Sequence, residues 1–285
     1  MSGDDNAYRP PAAREPEIIT SPQNPLVKNV VKLSDRRQRD RQERLAIEGY
    51  RAVSRALDNR FVLEELFFCP ELYLGTNEPD LVARVGAAGA RLTQVSRPVF
   101  EKIAYRDRPE GLLAVAPQFR RPLQDQLPDG KSFFVVAESI EKPGNLGTML
   151  RSCDAAGVDA LILSDPRTDI FNPNVVRASI GTLFTVPVWQ ADTPTCIQWC
   201  RDHGVHVLAA TPHTDLLHTD VDMTGPIAVV MGTEQVGLTD AWMDAADLQV
   251  KIPMYGQVDS LNVAAATTIL LYEVVRQRRA AGLMA

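Results

Sequence analysis

Val229 to Arg276 reads VVMGTEQVGLTDAWMDAADLQVKIPMYGQVDSLNVAAATTILLYEVVR, and the reading of this stretch decides the fold. Two short apolar runs, Ile227–Met231 and Leu248–Ile252, have the length and composition of buried parallel strands. Each runs into a turn-forming loop, Gly232-Thr233-Glu234 after the first and Pro253-Met254-Tyr255-Gly256 after the second. Ser260-Leu261-Asn262 then opens a long apolar helix, with Asn262 placed to cap it. Ligands of open α/β sheets lie beyond the carboxyl ends of strands. The two loops and the helix start could therefore converge on one pocket. Spacing alone favours the plainer alternative, an ordinary strand–helix–strand–helix tail.

Working outward, the 285 residues suffice for two ordinary domains, each with a sizeable core. Hydrophobic residues at 45% and charged residues at 23% place the chain among soluble globular proteins. No apolar run reaches the length of a bilayer span, and the first residues lack the apolar core of a signal peptide, so the expected location is the cytoplasm. Cys69, Cys153, Cys196 and Cys200 are too few and too badly spaced for a disulfide framework. Cys196 and Cys200 lie one helical turn apart, but no second pair completes a metal site, and no structural metal is expected. The net charge of −6 argues weakly against nucleic acid. Its distribution argues the other way, because basic residues outnumber acids between Lys28 and Arg60. A basic stripe on an acidic chain fits an RNA-facing region, and a solvated helix face competes with that reading.

Residues 1–16 are rich in Pro, Ala and charge and read as a disordered arm. From Ser21 a helix is predicted, with Leu26, Val30 and Leu33 at helical spacing. An Arg-rich loop over Arg36–Arg44 follows, then strands at Leu45–Ile47, Leu66–Cys69, Arg91–Val95 and Leu112–Ala116, with helices through Leu57, over Leu81–Ala88 and over Val99–Ile103. Residues 17–117 thus form a small α/β unit, and the Pro-containing 118–131 reads as a linker. A second α/β series fills 132–285, with strands at Phe133–Ala137, Ala160–Leu163 and Val205–Ala210 and helices at Leu146–Ala156, Val175–Leu183 and Pro194–His203.

Two further clusters accompany the tail. Glu138 to Arg151, ESIEKPGNLGTMLR, is a glycine-rich turn between a strand and a helix, with Asn145 as expected N-cap and Arg151 part-buried. A helix start there favours an anion, yet the stretch has neither a Walker ending nor a dinucleotide fingerprint. A structural Arg holding carbonyls explains Arg151 as well as a functional one does. Asn172 to Gly181, NPNVVRASIG, combines a capped helix start, Arg177 and small residues, and helix packing is the simplest account of it.

Taken together, NPLVK…R…EG in the first half, NxGxxxR at Asn145–Arg151, GTEQxGL at Gly232–Leu238 and IPMxGxxxSLNVxxA at Ile252–Ala265 resemble the TrmH branch of the SPOUT RNA methyltransferases, also called the SpoU family. The resemblance covers roughly residues 21–280. It implies a SPOUT-type trefoil-knotted parallel-sheet methyltransferase domain, preceded by a small L30e-like RNA substrate-binding domain. It also implies a homodimer and S-adenosylmethionine held between the knot loops, with no metal. By position, the implied cofactor contacts are Ala210, Thr211, Gly232, Ile252, Met254 and Leu261, and the implied catalytic set is Asn145, Arg151, Glu234, Ser260 and Asn262. The phosphate contacts would be Arg36, Arg37, Arg39 and Arg41. The first motif departs from the family in opening with Glu138 and in carrying Lys142-Pro143-Gly144, which bears on substrate more than on reaction.

The implied reaction is displacement at a sulfonium methyl by a ribose 2′-OH, with most of the gain from positioning. The substrate expected is 23S rRNA, as for relatives that include antibiotic-resistance enzymes. A transfer-RNA ribose methyltransferase is the first alternative, and the short tail after the last helix argues mildly against it. A non-catalytic ribosome-assembly factor is the second, and the intact Asn145, Arg151, Ser260 and Asn262 argue against it.

Overall fold

The computed structural model describes residues 18–123 and 127–284, so the expected arm lies outside the described residues. The chain runs α1 (Pro25–Lys32), α2 (Arg36–Gln42), β1 (Arg44–Glu48), α3 (Tyr50–Asp58), β2 (Glu65–Phe68), α4 (Glu78–Ala87), β3 (Arg91–Gln94), α5 (Arg97–Ile103) and β4 (Leu112–Pro117). It continues through β5 (Phe133–Glu138), α6 (Pro143–Ala156), β6 (Ala160–Ser164), α7 (Pro173–Ser179), β7 (Val188–Ala191), α8 (Thr193–Asp202) and β8 (His206–Ala210). It closes with β9 (Ile227–Met231), α9 (Asp240–Ala245), β10 (Leu248–Val250) and α10 (Val263–Ala280).

The first half holds a four-stranded mixed sheet of order β1-β4-β2-β3. The second holds a six-stranded parallel sheet of order β10-β8-β9-β5-β6-β7. Strands β5, β6 and β9 are buried at every position, as expected of a parallel sheet covered on both faces. One core cluster runs across both halves: Leu45, Ile47, Val53 and Leu66 join Val135, Met149, Leu163 and Val229 in it. The part of the expected linker that is described is packed rather than free. Leu123 is buried, Pro122 bridges to Gln190, and Phe119 stands edge-on to Phe61 and Phe171.

Several expectations need correction. Arg36–Arg44 is not a loop. Asp35 caps α2 by accepting from Gln38 N–H at 3.0 Å, and Glu43, at φ 52°, ends it. Arg and Gln are good helix formers, but a seven-residue helix without an apolar stripe gives no periodic signal. The helix expected over Val175–Leu183 breaks after Ser179, because Ile180 (φ 49°) and Gly181 (φ 91°) turn left-handed. Gly181 is required there, since a Cβ would meet the Ala52 Cα at 2.7 Å. Strand β10 stops at Val250, β7 had not been expected, and the helix expected between the last two strands is the six-residue α9.

The last segment is tied to the 211–226 loop at two places. Lys251 N–H donates to the Leu216 carbonyl, and the Lys251 carbonyl accepts from His218 N–H. From the other end, Gln277 accepts from Met223 N–H and donates to the Val221 carbonyl, and the buried Arg278 donates to the Gly225, Lys131 and Ser132 carbonyls. The terminal helix is thereby held against a preceding loop, the disposition that the resemblance implied for a threaded terminus.

Candidate active site

Chain direction across the second sheet locates the site. From β5 the chain builds outward through β6 and β7, then crosses over to lay β8, β9 and β10 on the other side of β5. The order therefore reverses between β5 and β9, and ligands of doubly wound sheets bind beyond the carboxyl ends of strands at such a reversal. The first turn of α6, just past β5, carries Asn145, and the loop leaving β9 carries Glu234. The neighbouring ends of β8 and β10 carry Ala210, Thr211 and Ile252.

The loop after β9 folds back on itself. Thr233 and Gly237 exchange backbone hydrogen bonds at 3.0 and 3.1 Å, and Gly237 takes φ +73°. A Cβ on Gly232 would lie 2.2 Å from the Gly237 carbonyl carbon, so only glycine admits this fold. The loop is also anchored to β5, where the buried Glu138 accepts from Thr239 N–H at 2.9 Å and from Thr239 O–H at 2.7 Å. The departure noted at Glu138 is thus an internal strut.

Asn145 is not the N-cap of α6. That position belongs to Lys142, and the helix begins at Pro143. The Asn145 side chain is instead the middle of a polar relay. Its Nδ2 donates to Glu234 Oε1, and its Oδ1 accepts from Asn262 Nδ2 at 3.1 Å. Asn262 caps α10 as expected, with Oδ1 accepting from Ala264 N–H at 3.0 Å. The carboxylate can only accept and the backbone N–H can only donate, so both amides are locked in one orientation. Three elements distant in sequence are clamped by this relay. Lys142 Nζ lies 4.0 Å from Glu234 Oε1 at its edge. Ser152 and Thr268, neither foreseen, add a second α6–α10 link at 2.6 Å.

The remaining expected residues are placed as follows. Thr211 is buried, donates its N–H to the Val250 carbonyl at 3.0 Å and accepts from His213 N–H at 3.1 Å, and Ala210 precedes it at the end of β8. Ile252 and Met254 are half-buried, whereas Leu261 and Ser260 are exposed. Ser260 donates to Asp259 at 3.2 Å and stands outside the relay. Arg151 is exposed, not part-buried, and makes no side-chain hydrogen bond among the described residues. Arg36, Arg37 and Arg41 are exposed, but Arg39 is 2% exposed and paired with Asp169, so it cannot reach a phosphate. Among the described residues, no backbone N–H from Ile252 to Leu261 donates within the protein. Ile252 to Met254 are half-buried and Tyr255 to Leu261 exposed, so their main-chain groups are open to a ligand held by backbone hydrogen bonds.

Both Cys196 and Cys200 are buried among apolar neighbours that push their thiols up to about 12, which disfavours the thiolate a metal requires. No group of three or more His, Cys, Asp or Glu placed to hold a metal occurs among the described residues.

Against known proteins, the family described as SpoU rRNA Methylase matches residues 132–272, and the MRM3-like substrate binding domain matches residues 24–114. The chain is 32% identical over 280 residues to the 23S rRNA (uridine(2479)-2′-O)-methyltransferase of Streptomyces viridochromogenes, covering 95% of this chain and 94% of that enzyme. It is 29% identical to the Bacillus subtilis 23S rRNA (guanosine(2553)-2′-O)-methyltransferase RlmP over 90% of this chain and 98% of that one. The AdoMet-bound rRNA methyltransferase from Sinorhizobium meliloti superposes with a TM-score of 0.83 at 33% identity, covering 93% of this chain and 98% of that one.

Proposed function

The chain belongs to the SpoU rRNA methylase family, and on that premise we propose that it transfers a methyl group from S-adenosylmethionine to a ribose 2′-OH of 23S rRNA. The observation that carries the reading is the Glu234–Asn145–Asn262 relay, which gathers the first turn of α6, the loop after β9 and the start of α10 at the reversal of the sheet. The methyl donor fits these residues. Gly232 keeps the β9 loop compact, and the free backbone groups of Ile252 to Leu261, beside Ala210 and Thr211, can hold an adenosine. When bound, the donor supplies an electrophilic methyl on a sulfonium.

The chain's own part is positioning, which can supply much of the barrier reduction. Arg151 grips an RNA phosphate through its planar fork and lowers the pKa of the adjacent 2′-OH, and the proton leaves to that phosphate or to water. A guanidinium hardly gives up its proton, so Arg151 is not itself the base. Ser260 and the relay residues orient the ribose and the α6 helix. Arg36, Arg37 and Arg41 contact phosphates without reading sequence.

A homodimer accompanies this reading. Tyr255 (93% exposed), Val236 (82%), Val258, Leu261, Ile269 and Tyr272 leave apolar side chains uncovered on the knot loops and α10, where a second copy can bury them. Work on ribosomal RNA would be done in the cytoplasm; no helix among the described residues is long and apolar enough to cross a membrane. Purified protein, labelled S-adenosylmethionine and naked 23S rRNA test the proposal, with 2′-O-methyl mapping as readout. One methylated ribose is the expected product. Labelling of transfer RNA alone, or none, overturns it. Drug susceptibility of cells expressing the chain tests whether the modification also protects the ribosome.

A further inference from the structure

Helix α2 carries its arginines on two sides. Arg36, Arg37 and Arg41 face solvent, whereas Arg39 points inward. Arg39 Nη1 donates to the carbonyls of Leu33 and Ser34 at 2.8 and 2.9 Å, just past the end of α1. Its Nη2 donates to Asp169 Oδ2 at 2.6 Å, in the loop from β6 to α7 of the other half. The second Asp169 oxygen accepts from Phe171 N–H at 2.9 Å and shapes the turn into the Asn172 cap of α7. Helix α7 in turn presses on α6 at Gly147, where a Cβ would lie 2.5 Å from the Ala178 Cβ. One guanidinium therefore joins the basic helix to the helix pair that carries Arg151.

The rest of the seam is mainly apolar. Phe61, Phe119, Phe171 and Phe184 meet edge to face with centroids 4.9–5.2 Å apart, and Gly181 lies against Ala52. Such contacts hold two bodies together but tolerate small rotations. Arg55 adds a single bond, to the Ile180 carbonyl at 2.5 Å. A buried ion pair adds little net stability over apolar packing. A rigid fork that must meet three oxygens at once does fix an orientation.

We propose that Arg39 and Asp169 are a positioning pair that sets the register of the RNA, holding the phosphate-gripping face of α2 at a fixed angle to the α6 helix of Arg151. The inference rests on the RNA methyltransferase reading above. Its test compares the full-length parent with Asp169→Asn, which keeps an acceptor for Phe171 N–H but faces Arg39 with an amide, and with Arg39→Lys, which keeps charge without the fork. Spin labels on cysteines placed at the exposed Asp40 and Ala155 report the α2–α6 distance independently of activity. Both variants are expected to bind S-adenosylmethionine as the parent does. The spin–spin distance distribution should broaden, kcat/KM on 23S rRNA should fall by about tenfold to a hundredfold, and methyl groups should appear on riboses beside the target. If Asp169→Asn fails to fold, Arg39→Lys carries the comparison. An unbroadened distribution with a single methylated ribose at parental kcat/KM overturns the proposal. A parent that methylates no RNA would instead overturn the functional reading, while the distance measurement would still judge the pair.

Discussion

Replacing Asn262 by Asp separates the two jobs of this side chain. As a cap, an Asp oxygen still accepts from Ala264 N–H, and its charge suits a helix N-terminus by about 0.3–1 kcal/mol. As part of the relay, it faces Asn145 Oδ1 with an acceptor where Asn262 offered a donor. Asn145 cannot repair this by flipping, because its oxygen would then confront Glu234. One hydrogen bond is lost and two acceptors are opposed at an exposed pair, a cost of about 0.5–1.5 kcal/mol. The segments that the relay gathers should bear that cost, so S-adenosylmethionine affinity should fall by about twofold to tenfold, with turnover falling alongside. The melting temperature should stay at the parent's or rise slightly. Asn262→Ala serves as the control, since losing the cap costs about 1 kcal/mol and should lower the melting temperature while weakening the cofactor less than Asp does. Thermal unfolding and calorimetric titration read both quantities. If Asn262→Asp binds the cofactor and turns over like the parent, the relay does not organise the site.

Replacing Arg36, Arg37 and Arg41 together by Ala should weaken 23S rRNA binding and flatten the dependence of log K on log salt by about 2. An unchanged slope removes α2 from the interface. Glu48 is buried, with Tyr105 N–H at 2.8 Å on one oxygen and no partner on the other, and burial raises its pKa above the ordinary carboxylate value. The native carboxyl then holds its proton to higher pH than the unfolded chain does, so stability is lost as pH rises from the unfolded pKa through the folded one. Glu48→Gln should abolish that part of the pH dependence in denaturant titrations. All four cysteines are buried with thiols shifted upward, so a disulfide reagent at pH 8 should label none until the chain unfolds. Rapid labelling of native protein would refute that burial.

The tail was legible because its signals are local. An apolar run of five with a glycine after it makes β9, and an Asn before a long apolar run makes the cap of α10. The relay was only half legible. The residues stood out by motif, but Asn145 was read as a cap, since Asn before a helix is usually one, and its partners lie 89 and 117 residues away. Arg39 was read with its neighbours as a phosphate contact because composition cannot tell an outward arginine from an inward one. Only the packing of α2 against the β6–α7 loop separates them. Helix α9 fitted the strand–helix–strand–helix pattern, but its bounds were not legible for a similar reason. Its six residues are held by Trp242, which is fully buried and donates to Ser164 at 3.2 Å, a tertiary contact without a local pattern.

The position of Arg151 leads to a last expectation. Six residues separate it from Asn145 on α6, about 9 Å along the axis and roughly 240° around it. Arg151 therefore does not share the face on which Asn145 meets Glu234 and Asn262, and its side chain has no partner among the described residues of its own chain. In the dimer proposed above, it is free to serve the other copy's site. Mixing two inactive variants decides the matter. Arg151→Ala keeps the cofactor loops, and Gly232→Val abolishes them through the 2.2 Å approach to Gly237 while keeping Arg151. Equal mixing with subunit exchange makes half the dimers hybrid. If Arg151 acts across the interface, each hybrid has one complete site, and activity should recover to about a quarter of the parent's. If it acts within its own chain, no hybrid has a complete site and the mixture stays inactive. Sedimentation that confirms exchanged dimers, together with absent activity, would refute the assignment across the interface.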